Sequence, residues 1–302
     1  MTEASRPADP NGTAHARPAP GTPCWVSLMA HGTTATQDFY QELFGWEFRP
    51  SPGQLGPYVR ALLDGREVAG VGHMPPDQEL PVAWTPYFAS DDADATAETV
   101  RHCGGTVGVG PLDAGADGRI AVAVDPMGAV FGIWQPTAHF GAQPAGAPGT
   151  PVWNELLTYE STGVTKFYRN VFGYEDEEAT PATNTAPASD TAPASGVADT
   201  SETTYAADTA GVADPADPVD RVVLRRHGRP VAAVRGVGQA LPRDRGAHWL
   251  TYFRVADVDT ATARVTALGG RVLTPPHDTP HGRTATAADP EGARFALLER
   301  TR

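Results

Sequence analysis

Cysteine, lysine and long apolar runs are scarce in this sequence, and each scarcity excludes a class of protein. Cys24 and Cys103 are the only cysteines, too few for a disulfide framework or a cysteine zinc site, so a reduced cytoplasmic setting is expected. No apolar run is long enough to cross a bilayer, and the N-terminal residues lack the apolar core of a secretory signal. The sequence therefore predicts neither a membrane partner nor export.

Basic residues are outnumbered by acidic ones, but the imbalance is local. The chain carries 23 Lys and Arg against 36 Asp and Glu, a formal charge of −13, and Lys166 is its only lysine. Residues 175–220 hold 11 of the acidic residues and no basic one, which leaves 25 acidic against 23 basic residues elsewhere. Nucleic-acid binding needs a clustered basic face, so no nucleic-acid partner is expected.

Internal repetition is the strongest pattern that the sequence does contain. Three segments of the first half recur in the same order in the second: WVSLMAHGTTATQDFYQELFGW (Trp25–Trp46) as WNELLTYESTGVTKFYRNVFGY (Trp153–Tyr174), Trp84–Gly105 as Trp249–Gly270, and DPMGAVFGIW (Asp125–Trp134) as DPEGARFALL (Asp289–Leu298). Self-similarity on this scale is the signature of a repeated structural unit. The chain is therefore predicted to contain two copies of one domain.

The pattern of each half predicts a strand, a helix and further strands, and this order occurs twice in each half. Alternation from Trp25 to Met29 indicates a half-buried strand. Apolar residues at three- and four-residue spacing then indicate a helix, which Thr33 or Thr34 can cap and Gly45 ends. Asp64-Gly65 between two apolar runs indicates a hairpin. The predicted fold class is α+β, built from four βαβββ units.

Residues 176–219 form a segment that the first copy lacks. It consists of Thr, Ala, Pro, Ser and Asp, and this composition cannot bury enough apolar surface to offset the entropy lost on ordering. A disordered acidic insertion in a surface loop is the favoured interpretation, because long insertions cost little loop-closure entropy. A lid or partner-binding segment anchored by Tyr205 is the alternative.

The ordered set of motifs resembles the vicinal-oxygen-chelate superfamily, which includes glyoxalase I, extradiol dioxygenases and bleomycin-resistance proteins. The motifs are WNEL, FY..LFG after a helix, GR.VAG, W..YF.V.D.D.A and DP.GA.F before the last strand. The nearest likeness is to a two-domain, hydroxylase-like actinobacterial branch. The resemblance implies cupped mixed sheets with helices outside. The expected organisation is a disordered tail (1–21), a glyoxalase-like domain (22–137), a linker (138–149) and a second glyoxalase-like domain (150–302).

Members of this superfamily that use a metal hold it at three positions of the cup. The resemblance places those positions at Trp25, Thr85 and Gly132 in the first half, and at Trp153, Leu250 and Ala296 in the second. None of these side chains is the imidazole or carboxylate that divalent metals require. We therefore predict no metal at the usual site, and no cofactor, although a redox cofactor or another metal is left open.

Histidines elsewhere are scattered. The pair His277 and His281, on either side of Asp278, is the nearest approach to a ligand cluster. Pro276 and Pro280 favour an irregular turn there, so solvated loop histidines are the preferred interpretation.

Alternation along the strands predicts which residues line the cup. The opposite face collects apolar residues suited to contact with helices: Val26, Leu28, Phe88, Phe131, Ile133, Leu156, Phe253, Phe295 and Leu297. The predicted lining is Trp25, Ser27, Met29, Thr85, Tyr87, Val130 and Trp134 in the first half, and Trp153, Glu155, Leu157, Leu250, Tyr252, Arg254, Arg294 and Leu298 in the second. An aromatic cavity with few polar groups is typical of a small-molecule site.

Glu155 is the predicted acid–base group, because a carboxyl group on the cavity face is placed for proton transfer. Tyr252, Arg254 and Arg294 are predicted to hold a carboxylate, phenolate or enolate. The substrate-binding set is Trp25, Ser27, Met29, Tyr87, Trp134, Trp153 and Leu157. The alternative is that Glu155 and either Arg254 or Arg294 form an ion pair that merely completes the sheet.

Three functions fit this pattern. The favoured one is a metal-free enzyme that hydroxylates, isomerises, cyclises or cleaves an oxygenated or aromatic metabolite, with specialised metabolism as one candidate setting. A drug-binding resistance protein is the second, and a protein–protein module whose cavity its own side chains fill is the third. Sites could form within each half or combine across the halves. Internal pairing of the duplicated halves predicts a monomer or weak homodimer.

Overall fold

The computed structural model describes residues 17–51, 56–75, 81–142, 146–175 and 220–300. The predicted insertion at 176–219 and Tyr205 lie outside the described residues, as does the predicted N-terminal tail apart from residues 17–21. Within that short stretch, Gly21 donates its amide to the Ala89 carbonyl at 2.8 Å.

The described residues form fifteen strands, four α-helices and one 3₁₀ turn, Gly238–Ala240. The first-half strands are β1 (Pro23–Ala30), β2 (Glu47–Pro50), β3 (Tyr58–Leu63), β4 (Arg66–His73), β5 (Trp84–Ala89), β6 (Thr106–Asp113), β7 (Gly118–Val124) and β8 (Val130–Pro136). The second-half strands are β9 (Pro151–Thr158), β10 (Arg221–Arg226), β11 (Arg229–Gly236), β12 (His248–Arg254), β13 (Arg271–Thr279), β14 (Gly282–Ala288) and β15 (Arg294–Glu299). The helices are α1 (Thr33–Phe44), α2 (Ala93–His102), α3 (Thr162–Phe172) and α4 (Val258–Ala267). None of the helices in the described part is long and apolar enough to cross a membrane.

Helices α1 and α3 end in the same way in the two halves, but the predicted start of α1 needs a correction. Both α1 and α3 end at a glycine in the left-handed conformation, Gly45 and Gly173, as the matched FG motifs predict. The predicted cap of α1 by Thr33 or Thr34 is wrong, because Gly32 occupies the N-cap without a side-chain bond. The Glu291 carboxylate accepts the Gly32 amide proton at 2.7 Å instead, so the second half caps a helix of the first.

Two mixed sheets are formed, one from each half, and they confirm the predicted tandem α+β fold. The first has the order β2-β3-β4-β1-β5-β8-β7-β6, and the second β10-β11-β9-β12-β15-β14-β13. At the centre of each sheet the first strands of the two units lie side by side and antiparallel, β1 with β5 and β9 with β12. This pairing places Trp25 opposite Tyr87 and Trp153 opposite Tyr252.

The hydrophobic cores join the two halves. One core contains residues of β1 and α1 together with residues of β12, α4 and β15, and the other joins β5, α2 and β8 to β9, α3 and β11. The halves therefore pack back to back through their helices, and the concave faces lie on opposite sides. All nine predicted residues of the helix-covered face are buried in these cores, which confirms the predicted strand alternation: Val26, Leu28, Phe88, Phe131, Ile133, Leu156, Phe253, Phe295 and Leu297.

The repeated motifs supply the polar contacts between the halves. The Trp84 indole nitrogen donates to the Tyr40 hydroxyl at 2.9 Å, and this hydroxyl donates to the Asp289 carboxylate at 3.1 Å. Tyr40 belongs to the FY motif of the first half and Asp289 to the DP motif of the second.

An equivalent chain of hydrogen bonds leads from the second half to the first. Trp249 donates to Tyr168 at 3.0 Å, and Tyr168 donates to Asp125 at 3.1 Å. Burial raises the pKa of Asp125, while bonds from the Ala129 amide and from Tyr168 act in the opposite sense. The motifs that recur in the sequence are thus those that fasten one half to the other.

Candidate functional site

The concave face of the second sheet carries a buried carboxylate with two polar partners. Glu155 is only 3% exposed. Its Oε1 accepts from the Arg221 Nε at 2.9 Å, and its Oε2 accepts from the Tyr252 hydroxyl at 3.0 Å. The Trp153 ring lies beside Tyr252, since these residues occupy paired positions on β9 and β12. We call Trp153, Glu155, Arg221 and Tyr252 the Glu155 cluster.

Strand register explains why these residues meet. Glu155 and Trp153 are two residues apart on β9 and share the concave face. Arg221 comes from β10, which β11 separates from β9. Arg221 lies opposite Arg235 of β11, whereas Glu155 lies opposite Ala233, two residues earlier on β11, so the long arginine side chain reaches Glu155 diagonally across the intervening strand.

Charge around the Glu155 cluster favours a donor role for Tyr252. Burial raises the pKa of Tyr252 well above its usual range, and the Glu155 charge raises it further. Tyr252 therefore remains a neutral phenol that donates a hydrogen bond. The half-buried Arg235 lies beside Arg221 on the same face and makes no ion pair with any other described residue.

The same positions of the first half are neutral and mutually satisfied. Ser27 stands where the repeat has Glu155, and Tyr58 stands where it has Arg221. The Tyr58 hydroxyl accepts from the Trp25 indole nitrogen at 2.8 Å and bonds with the Ser27 hydroxyl at 3.0 Å. Trp153, the counterpart of Trp25, keeps a buried indole nitrogen that has no hydrogen-bond partner among the described residues.

The concave face of the first half is filled by its own side chains. Trp25, Tyr87 and Trp134 are each less than a tenth exposed. The His139 ring packs edge-on against Trp25 with 4.7 Å between ring centroids, and the His139 carbonyl accepts from the Trp134 indole at 2.8 Å. Residues 137–142, which follow β8, therefore cover this cup. The hypothesis of a protein–protein module expects a cavity that its own side chains fill, and the cavity of the first half is filled in this way.

A polar cleft of about 320 Å³ remains at the edge of the first cup. Arg60 lies 2.8 Å from Glu67 and 2.5 Å from Asp117, and His139 Nδ1 lies 3.0 Å from Glu67. Burial alone would raise the pKa of Glu67, but bonds from His139 and Arg60 outweigh it and lower the pKa to about 2. Glu67 therefore has two partners in this cleft, Arg60 and His139, whereas the buried Nε2 of His139 has none among the described residues.

Comparison with known proteins decides the family. The model of the Glyoxalase/Bleomycin resistance protein/Dioxygenase superfamily matches residues 163–297. CFP32 of Mycobacterium tuberculosis, which its name provisionally places among the glyoxylases, is 34% identical over 284 residues, 92% of this chain and 95% of that protein. The anthracycline biosynthesis protein DauV of Streptomyces sp. strain C5 is 36% identical over 299 residues, 93% of this chain and 94% of DauV. The chain belongs to this superfamily.

Solved structures of the superfamily share the fold. The 2,2',3-trihydroxybiphenyl 1,2-dioxygenase of Sphingomonas wittichii strain RW1 has a TM-score of 0.55 at 16% identity, covering 93% of this chain and 91% of the dioxygenase. The Mn(II)-bound glyoxalase of Novosphingobium aromaticivorans has a TM-score of 0.56 at 14% identity, covering 93% and 84%. At these identities the likeness extends to the fold alone.

The residues at the superfamily's metal positions do not fit a metal. Strand pairing places Tyr87 and Tyr252 opposite Trp25 and Trp153, and the predicted middle positions Thr85 and Leu250 opposite Ser27 and Glu155. Gly132 and Ala296 complete the two rows and provide no donor. A buried phenol and an indole are poor ligands for a divalent ion. No group of three potential ligands that could hold a metal occurs among the described His, Cys, Asp and Glu residues.

Other predicted site residues lie apart from the Glu155 cluster. Arg254 donates to the Gly146 carbonyl, and Arg294 pairs with Asp244 at 3.2 Å, so neither bonds to Tyr252. Met29 is partly exposed against Gly72, whose missing side chain makes room for its sulfur. Leu157 is half-buried on the concave face. The predicted turn around His277 is wrong, since His277 lies in β13 opposite Thr284.

Sequence reasoning missed Arg221, Arg235 and His139. Alternation in the hairpin RVVLRRHGRPVAAVRG would have placed both arginines on the face of Glu155, because Arg221 and Arg235 occupy paired positions. No periodic signal marks His139, which lies in the irregular segment after β8.

The low pKa of Glu67 leads to an expected pH dependence of stability. Its folded pKa of about 2 lies below the usual 4.5, so the ionised form stabilises the fold above pH 4.5, and this contribution is lost as pH falls towards 2. We expect Glu67→Gln to cost about 1–2 kcal/mol at pH 6 after allowance for solvent screening, and much less at pH 3. Urea unfolding at both pH values measures the difference. Glu47→Gln, an exposed carboxylate on β2, is the control, and a Glu67→Gln cost that does not change with pH would contradict the assignment.

Proposed function

We propose that this protein is an enzyme of specialised metabolism that transfers protons on an oxygenated aromatic metabolite held at the Glu155 cluster. The observation that carries the proposal is the Glu155 carboxylate, buried on the concave face and fixed by Arg221 at 2.9 Å and Tyr252 at 3.0 Å. A general base must be held in one orientation, and two partners on different strands achieve this.

The chemistry requires only groups that this chain supplies. A carboxylate oxygen has two lone pairs, so each oxygen of Glu155 can accept a further proton beside its existing bond. Glu155 would take a proton from a carbon next to a carbonyl, the C–H electron pair would move onto the carbonyl oxygen, and the proton would return at another atom. The neutral Tyr252 and the cationic Arg235 are suited to stabilise the resulting enolate. Isomerisation, cyclisation and lyase reactions all proceed by such steps.

The lining and the relatives indicate the substrate class. Trp153, Leu157 and Leu250 give the face an apolar floor on which a flat ring system can stack. DauV and DnrV, the latter 35% identical over 93% of this chain, are named anthracycline biosynthesis proteins. We infer that the substrate is a polycyclic aromatic ketone of that general kind.

A drug-binding role is the second candidate, favoured by the unpartnered indole nitrogen of Trp153. That nitrogen would hold a flat ligand without any chemistry. The two roles differ in one observable, since only the enzyme moves a proton on its ligand.

Hydrogen–deuterium exchange distinguishes the two roles. An anthracycline aglycone that bears a side-chain ketone would be incubated with the protein in D₂O and analysed by mass spectrometry. We expect the protein to accelerate deuterium uptake at the carbon beside the ketone, because Glu155 removes and returns that proton. Binding without accelerated uptake would contradict the enzymatic role and support the resistance-type alternative.

A further inference from the structure

The orphaned indole nitrogen of Trp153 requires an explanation. Buried N–H groups nearly always have an acceptor, and an exception in a native fold marks a place for a water or ligand. Trp153 is 8% exposed and its nitrogen has no partner, whereas the equivalent nitrogen of Trp25 bonds to Tyr58 at 2.8 Å. Arg221 stands where the repeat has Tyr58 and cannot accept a hydrogen bond. The second cup therefore lacks an acceptor that the first cup contains.

Arg235 is a second donor on the same face and is half-buried. It lies opposite Leu157 on β9 and makes no ion pair or hydrogen bond with the other described residues. Its charge is near enough to Tyr252 to lower that pKa in part. Arg221, its neighbour on β10, already holds Glu155. Arg235 is thus available to an anion that enters the cup.

The two donors come from different positions along one face. Trp153 and Leu157, the partner of Arg235, are four residues apart on β9. A flat aromatic ring system that lies along β9 would pass both positions. The side chains between the donors include Leu250 and Tyr252, which suit the face of such a ring system.

We propose that the second cup selects a flat aromatic ligand that carries both a carbonyl oxygen and an ionised oxygen. The carbonyl accepts from Trp153, and the anion pairs with Arg235. The inference rests on the proposed function in placing the ligand at the Glu155 cluster, but not in the reaction that follows.

A pair of probes tests the selection for charge. Anthraquinone-2-carboxylate and anthraquinone-2-carboxamide have the same ring system and differ in charge, and quenching of tryptophan fluorescence reports their binding to the full chain. We expect the carboxylate to bind about 5- to 10-fold more tightly, the range for a partly desolvated ion pair. Arg235→Gln should remove this preference and Arg235→Lys should keep most of it. Arg49→Gln, an exposed arginine in the first half, should change neither affinity.

Two tryptophan variants test the carbonyl contact. Trp153→Phe keeps an aromatic ring but removes the donor, so both probes should bind about 3- to 10-fold more weakly. Trp25→Phe makes the same change where the nitrogen already has a partner, and affinity should not change. Equal binding of the two probes to the wild-type protein, or an equal loss in both tryptophan variants, would overturn the proposal. These titrations need no turnover, so failed proton transfer with normal selectivity would refute the proposed function alone.

Discussion

Replacing Glu155 with glutamine is expected to reduce proton transfer by about 10²- to 10⁴-fold, the usual contribution of a positioned general base. Glutamine keeps the size of the side chain and can still accept from Tyr252, which bonds to Glu155 at 3.0 Å in the wild-type protein. The amide has no basic oxygen, so binding should persist while exchange stops. Deuterium uptake and probe titration on the same preparation measure the two effects separately.

Controls for this variant come from both halves of the chain. Glu67→Gln makes the same change at a carboxylate that bonds to Arg60 and His139 in the first half, and exchange should be unaffected. Removing the Glu155 charge breaks its ion pair with the buried Arg221, so unfolding must be measured in parallel. Glu155→Asp keeps the charge but withdraws the oxygens by one methylene, and its exchange rate should fall as well. A Glu155→Gln protein that is folded and exchanges at the wild-type rate would refute the assigned base.

The largest expected loss of stability follows Phe253→Ala, at about 3–5 kcal/mol. Phe253 is fully buried, and its ring centroid lies 5.0 Å from Phe44, 5.1 Å from Trp84 and 5.7 Å from Trp46. All three neighbours belong to the first half, so the cavity would open at the junction between the halves. Unfolding in urea, followed by tryptophan fluorescence and circular dichroism, measures the loss.

The effect of Phe253→Ala on both halves distinguishes it from the truncation of a side chain in a core that belongs to one half. Because Phe253 packs against residues of the first half, both halves should lose stability together. Phe48→Ala, a half-buried phenylalanine at the edge of the same core, should cost clearly less. A loss confined to the second half, or one no larger than that of Phe48→Ala, would contradict the shared core.

Sequence patterns were sufficient for the fold because the same signals occur twice. Alternation in segments such as WVSLMA and WNELLT assigns each residue to a face, and burial of Leu28 and Leu156 in the helix-covered cores confirms it. Alternation does not identify what covers an apolar face. The sequence therefore could not predict that Phe253 packs against Trp84 of the other half. The repeated FY and DP motifs prove to be contacts between the halves.

Strand alternation also allowed part of the candidate site to be predicted from the sequence. Alternation predicted that Glu155 and Tyr252 share a face, and the structure joins them at 3.0 Å. Arg254 and Arg294 share that face too, but long side chains take partners from nearby loops, here Gly146 and Asp244, whose positions no periodic pattern encodes. The covering of the first cup by His139 was equally hidden, because irregular segments carry no periodicity.

Duplication has left the two cups with different chemistry. The first has Ser27 and Tyr58, neutral groups that satisfy Trp25, and a chain segment that covers them. The second has Glu155 and Arg221 in their places, and retains donors without acceptors. On this ground we propose that the second cup, and not the first, binds the ligand. The assignment of the ligand to the second cup is the claim on which the other proposals depend.

Indole NMR signals test that claim most directly. Protein labelled with ¹⁵N-tryptophan would be titrated with anthraquinone-2-carboxylate, and the signals of Trp153 and Trp25 would be assigned with the two phenylalanine variants. The account predicts a large shift of the Trp153 N–H signal as it gains an acceptor, and little change at Trp25. A shift at Trp25 with none at Trp153 would place the ligand in the first cup and contradict the account.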